Sequence, residues 1–542
     1  MSYKEISAKK RAERDTHLIS EWLIPEDKLP KENDVLEFPV KSGYLSASEI
    51  EITESDAPTI FENIKSHKWS SYDVTKAFCH RSQIAHQLTN CLSEIFYAEG
   101  LQQAKALDEY YATTGKLKGR FHGVPISLKD NINVIGQASS IGYVDWCFKP
   151  EGGFTTDSAI AELLRKEGAV FYCKTNVPVA MMMPESTNHV YGTTTNPLNR
   201  LLSAGGSSGG AAAHAALKGS IIDIGSDIGG SIRIPASFNS LYALRPTSGR
   251  YPTYGTRSGL PGLESVNSVN GPLCTSLASM EWYLSNLVDA DPSTVDPKVC
   301  YSPWKKVTLP EKLTFAILKD DGHVKPTPPI QRGIDMVQKL VEEAGHEVIE
   351  WDPSEHVALA QTITKFFLAD GGKHVLEVTE ATGEPLFPSM AMYGSAPSMS
   401  VSELWDLHAE RSGNCKKLLQ RWMDTQLRTK DGKVIDAILL PASPHPGCPH
   451  GKFGGWVGYT SVFNATDYSV GVMPVSRCDK AVDLAEKDYV PRNAIDKEIY
   501  ESYDPEVSHG GSVSIQVACR KNEDEKVVEL IKRLSKLVKY SG

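Results

Sequence analysis

Between Asp56 and Tyr111 apolar residues recur at helical spacing, as at Ile84, Leu88, Leu92 and Ile95, and positions three or four apart share one helix face. Residues 1–115 therefore read as a helical layer with a packing role. From Gly119 the pattern changes. Residues 124–129 form a short apolar run of strand type. Residues 157–167 carry Ile160, Leu163 and Leu164 on one helical face, with Thr155, Thr156 and Asp157 as available N-caps and Gly168 as a stop. Residues 169–173 are the next strand. Strand and helix in alternation predict an α/β fold and put Lys129 at the carboxyl end of its strand, where open α/β sheets carry their sites.

Further along, residues 174–197 have no clean period and are crowded with Thr, Asn and Pro, the mark of a long ordered loop, which is usually functional. Residues 211–217 are an alanine-rich helix former that should stop at Gly219, and residues 220–224 a buried strand ending at Gly225. The stretch 199–204 is a poor strand, and 247–271 is loop-rich, with Pro272 introducing a helix over 278–288. Strands at 314–318 and 346–351 flank a helix with Ile330, Ile334, Val337 and Val341 on one face. Residues 355–430 are helical and punctuated by aromatics, an insertion placed over the site. Strands at 437–440 and 512–518 and a closing helix at 524–538, with Val527, Val528, Ile531, Leu534 and Leu537 inward, complete the core.

No linker or low-complexity tract divides the 542 residues, so residues 116–542 read as one catalytic domain carrying the helical layer. The net charge of −10 argues against nucleic-acid partners, for which a basic face supplies most of the affinity. The 10 cysteines stand singly, without C-x-x-C pairs or zinc spacing, which predicts a reduced, cytoplasmic setting and no metal or cofactor. Residues 1–22 lack the apolar core of a signal peptide, and no apolar run is long enough for a membrane span. Asn464-Ala465-Thr466 matches a glycosylation sequon that chance accounts for.

The chemistry gathers in residues 203–235, where Ser207 follows Gly205-Gly206 and Ser231 follows Gly229-Gly230. Glycines at such points let bare backbone approach a ligand. A serine hydroxyl attacks well only when a neighbour takes its proton, and a lysine can be that neighbour only if burial or nearby cations keep it neutral. Lys129, closing an apolar run, suits the part. Gly206 to Gly210 also spell G-x-S-x-G around Ser208, which makes a Ser-His-Asp hydrolase the first rival, with His445, His450 or His509 as its base. Charged Asp227 and Arg233 flank the second box and should hold its geometry by hydrogen bonds. Ser226 could help but stands outside the triad.

GGSSGG at 205–210, SDIGGSIRIPA at 226–236 and GVPISLKDN at 123–131 together resemble the amidase signature family. GYTSVFNATDYSVGVMPVS at 458–476 resembles its fungal general amidases and acetamidases, of fatty acid amide hydrolase-like kind. The family's usual proline near 512 is absent. The resemblance implies a central mixed sheet covered by helices on both faces and a Ser-cisSer-Lys triad. In it Ser231 is the nucleophile, Ser207 the bridge and Lys129 the base. The backbone amides of Ile228, Gly229, Gly230 and Ser231 would form the oxyanion hole, with Gly206, Ser207 and Met181 against the substrate and Asp227, Arg233 and Ser208 in support. The implied reaction cleaves carboxylic acid amides to acid and ammonia or amine. A carbamate (urethanase) or ester hydrolase could use the same triad. An amidotransferase subunit belongs to the same family, but the acidic chain and the 458–476 segment speak against it. The expected partner is a small-molecule amide or carbamate, and a homodimer is the assembly left open.

Overall fold

Alternate strand residues enter different apolar cores. In the strand Ala437–Pro441, Ala437 and Leu439 join one core while Ile438 and Leu440 join another. In Thr314–Ile317, Phe315 and Ile317 part from Ala316 in the same way. Successive side chains of a strand point to opposite faces, so this sheet is covered on both. The structure is a computed structural model that describes residues 1–149 and 155–540.

In chain order the strands are β1 Leu92–Ile95, β2 Pro125–Lys129, β3 Val170–Thr175, β4 Thr187–Asn188, β5 Gly192–Thr193, β6 Thr195–Asn196, β7 Asn199–Ser203, β8 Asp223–Asp227, β9 Tyr242–Arg245, β10 Val269–Cys274, β11 Thr314–Ile317, β12 Glu347–Glu350, β13 Ala437–Pro441, β14 Ser469–Arg477 and β15 Ser512–Cys519. Eleven of them form one mixed sheet in the order β1-β3-β2-β8-β10-β9-β14-β15-β13-β11-β12, while β4 pairs with β5 and β6 with β7 in separate hairpins. The expected α/β fold and its flanking helices are present. No helix among the described residues is long and apolar enough to cross a membrane.

Five local expectations change. Leu92 and Ile95 are not helical: the helix Ser71–Thr89 ends where Asn90 turns left-handed, and β1 then pairs antiparallel with β3. The strand expected at 220–224 begins three residues later and runs through Gly225 to Asp227. Stretch 199–204 is a strand after all, β7, but it belongs to a hairpin beside the main sheet. Pro272 lies inside β10, opposite Ile224, although a proline cannot donate to a ladder and usually marks a strand end. Finally, β9 and β14 fall in stretches with no predicted strand, because four residues are too few to show a period and β14 is buried on both faces.

β2 and β8 are parallel neighbours, with Ser127 opposite Asp223 and Leu128 opposite Ile224. Their carboxyl ends therefore lie side by side and present Lys129 to the segment that follows β8. From the 355–430 region the helix His356–Phe367 shares a core with the helix Gly458–Thr466. At its end, Phe367 Cζ stands 3.4 Å from where a methyl group on Gly229 would lie.

Candidate active site

Lys129 is wholly buried at the end of a strand whose five residues are all buried. Its Nζ stands 2.8 Å from Ser207 Oγ and donates to Ser226 Oγ at 2.9 Å and to the Ser226 carbonyl at 3.2 Å. Burial lowers its pKa to about 7, against an opposing pull from the Asp227 carboxylate. A neutral amine has two N–H bonds and one lone pair. The two oxygens of Ser226 can take both N–H groups, which turns the lone pair to Ser207. Ser226, which the sequence alone does not single out, is thus the residue that holds the Lys129 amine. Its signal is the register of β2 against β8, which a single sequence does not print.

Ser207 is buried behind a cis Gly206–Ser207 peptide. Only glycine fits at 206, because a Cβ there would meet the Glu185 amide nitrogen and the Met183 carbonyl at 2.5 Å. Ser186 Oγ holds the same turn, donating to the Ser207 carbonyl at 3.4 Å and accepting from Gly209 N at 2.9 Å. The two serine boxes meet through the backbone, where Ser208 N donates to the Ser231 carbonyl at 3.1 Å. Ser231 is half-buried. No hydrogen bond joins its Oγ to Ser207 among the described residues, and catalytic bonds of this kind commonly tighten only with substrate in place.

Asp227 and Arg233 are both fully buried and doubly hydrogen-bonded at 3.0 Å. Burial pushes the Asp227 carboxyl up, but the Arg233 charge, with bonds from Arg233 and Asn464, holds it well below the usual range. The carboxylate also accepts from Gly230 N at 2.9 Å and Ile232 N at 3.1 Å, stapling the loop that presents Ser231. Arg233 continues to the Thr460 carbonyl, Gln516 and Asn464. The Gly230 amide is thereby committed to a carboxylate. Of the four amides expected to form an oxyanion hole, that of Gly230 is therefore engaged within its own loop. Gly230 itself is needed at φ 137°, where a Cβ would also meet Thr460 Oγ1 at 2.3 Å. Removing one partner of a buried pair strands the other charge, so Arg233→Met should cost about 3–5 kcal/mol. Denaturant titration checks this, and an unchanged midpoint would show that the loop does not depend on the pair.

The rival arrangement is not assembled. Ser208 Oγ bonds the Ser226 carbonyl at 3.3 Å. His445 is buried between Ser443 and the Phe453 carbonyl, with its pKa lowered by burial to about 4. His450 pairs with Glu185 at 2.8 Å, and His509 accepts from Lys480 N at 3.4 Å. A Ser-His-Asp chain does exist elsewhere, since His214 bonds Ser82 Oγ at 2.7 Å and Asp223 at 2.9 Å. All three of its residues are sealed in the core, where no substrate reaches them. Met181 is half-buried in the left-handed region at φ 60°, following Ala180 at φ 57°. It packs in an apolar cluster with Phe367 and Leu263. Such strain costs of order 1 kcal/mol or more for a residue with a Cβ and gathers at functional sites.

Comparison with known proteins adds to this geometry. Residues 73–528 match the family model described as Amidase. The chain is 39% identical to an acetamidase of Aspergillus oryzae over 99% of both chains. It is 37% identical to an acetamidase of Emericella nidulans over 99% of this chain and 98% of that one. Among solved structures, a fatty acid amide hydrolase superposes with a TM-score of 0.92 at 30% identity, covering 99% of this chain and 95% of the other.

Proposed function

The chain belongs to the amidase family, and on that footing we propose that it cleaves carboxylic acid amides to acid and ammonia or amine through an acyl-enzyme on Ser231. The observation that carries the reading is a fully buried Lys129 bonded to Ser207 Oγ at 2.8 Å. Ser231 Oγ attacks the amide carbonyl while Ser207 Oγ takes its proton and passes its own to the neutral Lys129 amine. The amides of Ile228, Gly229 and Ser231 receive the developing oxyanion. One such donor is worth about 10²–10³ in rate. The proton returns through Ser207 to the leaving nitrogen, the C–N bond breaks, and water then hydrolyses the acyl-enzyme by the same relay in reverse.

The same residues would accept an oxygen leaving group, so carbamates and esters are the competing substrates. Matched amide, carbamate and ester of one acyl group, offered to the purified chain without ATP or tRNA, test the reading. Amide hydrolysis with release of acid and amine is expected. Turnover of ester and carbamate alone would overturn it, and activity only with tRNA and ATP would point to an amidotransferase subunit.

A further inference from the structure

An apolar cluster that includes Ile141, Tyr143, Val179 and Met183 stands beside both glycine turns of the site. Phe367, packed on it, faces Gly229, and the Met183 carbonyl abuts Gly206. Its half-exposed members Met181, Leu263 and Phe367 are the surfaces an acyl chain would lie against. Such a wall suits plain hydrocarbon, yet two of its neighbouring atoms do not. Tyr143 Oη and Glu384 Oε1 are buried without a hydrogen-bond partner, on residues 0% and 5% exposed. Burying a polar atom unpaired is destabilising, and most buried polar atoms of native proteins are satisfied. The two residues are neighbours: burial raises the Tyr143 hydroxyl, and the Glu384 carboxylate is among the nearby groups that raise it further. Glu384 Oε2 accepts from the amide of Val144, the residue after Tyr143, at 3.0 Å. Burial raises Glu384 to about 7, so its free oxygen can accept or donate near neutral pH.

We propose that Tyr143 and Glu384 form a polar subsite in the acyl pocket that selects amides whose acyl chain carries a terminal hydroxyl. One hydroxyl satisfies both orphans, its oxygen accepting from Tyr143 Oη and its hydrogen donating to Glu384 Oε1. A purely apolar chain leaves both unpaired, and sites built to bond a hydroxyl reject analogues that lack it.

The inference rests on the amidase reading, and the test separates the two. Straight-chain primary amides are compared with their ω-hydroxy counterparts over a series of chain lengths. Hydrolysis of the plain amides reports the parent reading by itself. At one chain length the hydroxylated amide should be favoured in kcat/KM by on the order of 10- to 100-fold, and the preference should fall to near unity in Tyr143→Phe. In Glu384→Gln, which keeps an acceptor for Val144 N, it should be reduced. Affinity of the same amides for Ser231→Ala reads the ratio without turnover. A ratio near unity at every length, or a preference that survives both substitutions, would overturn the subsite.

Discussion

Arginine in place of Lys129 is expected to abolish turnover as fully as alanine does. The base must be neutral to accept the Ser207 proton, and an ordinary lysine near 10.4 would be almost wholly charged at neutral pH. Burial moves Lys129 to about 7, with Asp227 partly opposing. Arginine stays protonated at any accessible pH, so Lys129→Arg preserves charge and loses the base. Base removal typically loses about 10²–10⁴, and more where residues act as a unit. The sign of the pH dependence follows. The neutral fraction of a lysine with a lowered pKa grows as pH climbs through that value and then saturates. In the wild type kcat/KM should therefore rise through about pH 7 and level off above it. Near-wild-type activity in Lys129→Arg would mean that the residue supplies positive charge, and the neutral-base relay would fail.

Ser231→Ala should carry the largest loss, about 10⁶-fold in kcat by analogy with serine nucleophiles that act within a unit. Because Ser231, Ser207 and Lys129 share one proton path, the losses should not add. The double variant Ser231→Ala with Lys129→Ala should be no slower than Ser231→Ala alone. Multiplying losses, measured as initial rates on one amide, would show that the lysine acts separately from the nucleophile.

Elements whose burial is one-sided could be read from the chain. The closing helix appears as Asp524–Val538 with Val527, Val528, Ile531 and Leu534 buried, because its apolar face repeats at helical spacing. β14 carries no such signal, since its first seven residues are buried and a continuous apolar run fits either period. In the site, the motif resemblance brought Lys129, Ser207 and Ser231 forward together. Local pattern alone could not have joined Lys129, at the end of β2, to Ser207, 78 residues on in the turn before the helix Gly209–Ala216, since only the folded chain brings the two together. The hold of Ser226 on Lys129 depends on the parallel pairing of β2 and β8, which is equally absent from local pattern. Commitment of the Gly230 amide to Asp227 follows from a carboxylate folding back over the next three residues, a habit of aspartate in turns that only the fold reveals here. Tyr143 and Glu384 stood out as neither catalytic nor motif residues. What marks them is burial without partners, which exists only once the chain has folded.

The central claim is that Ser231 is the covalent nucleophile activated through Ser207 by a neutral Lys129, and fluorophosphonate labelling mapped by mass spectrometry tests it most directly. The adduct should sit on Ser231, form faster as pH rises through about 7, and be lost in Lys129→Arg. An adduct on Ser208 with Ser231 unmodified would contradict the claim and favour a nucleophile-elbow mechanism.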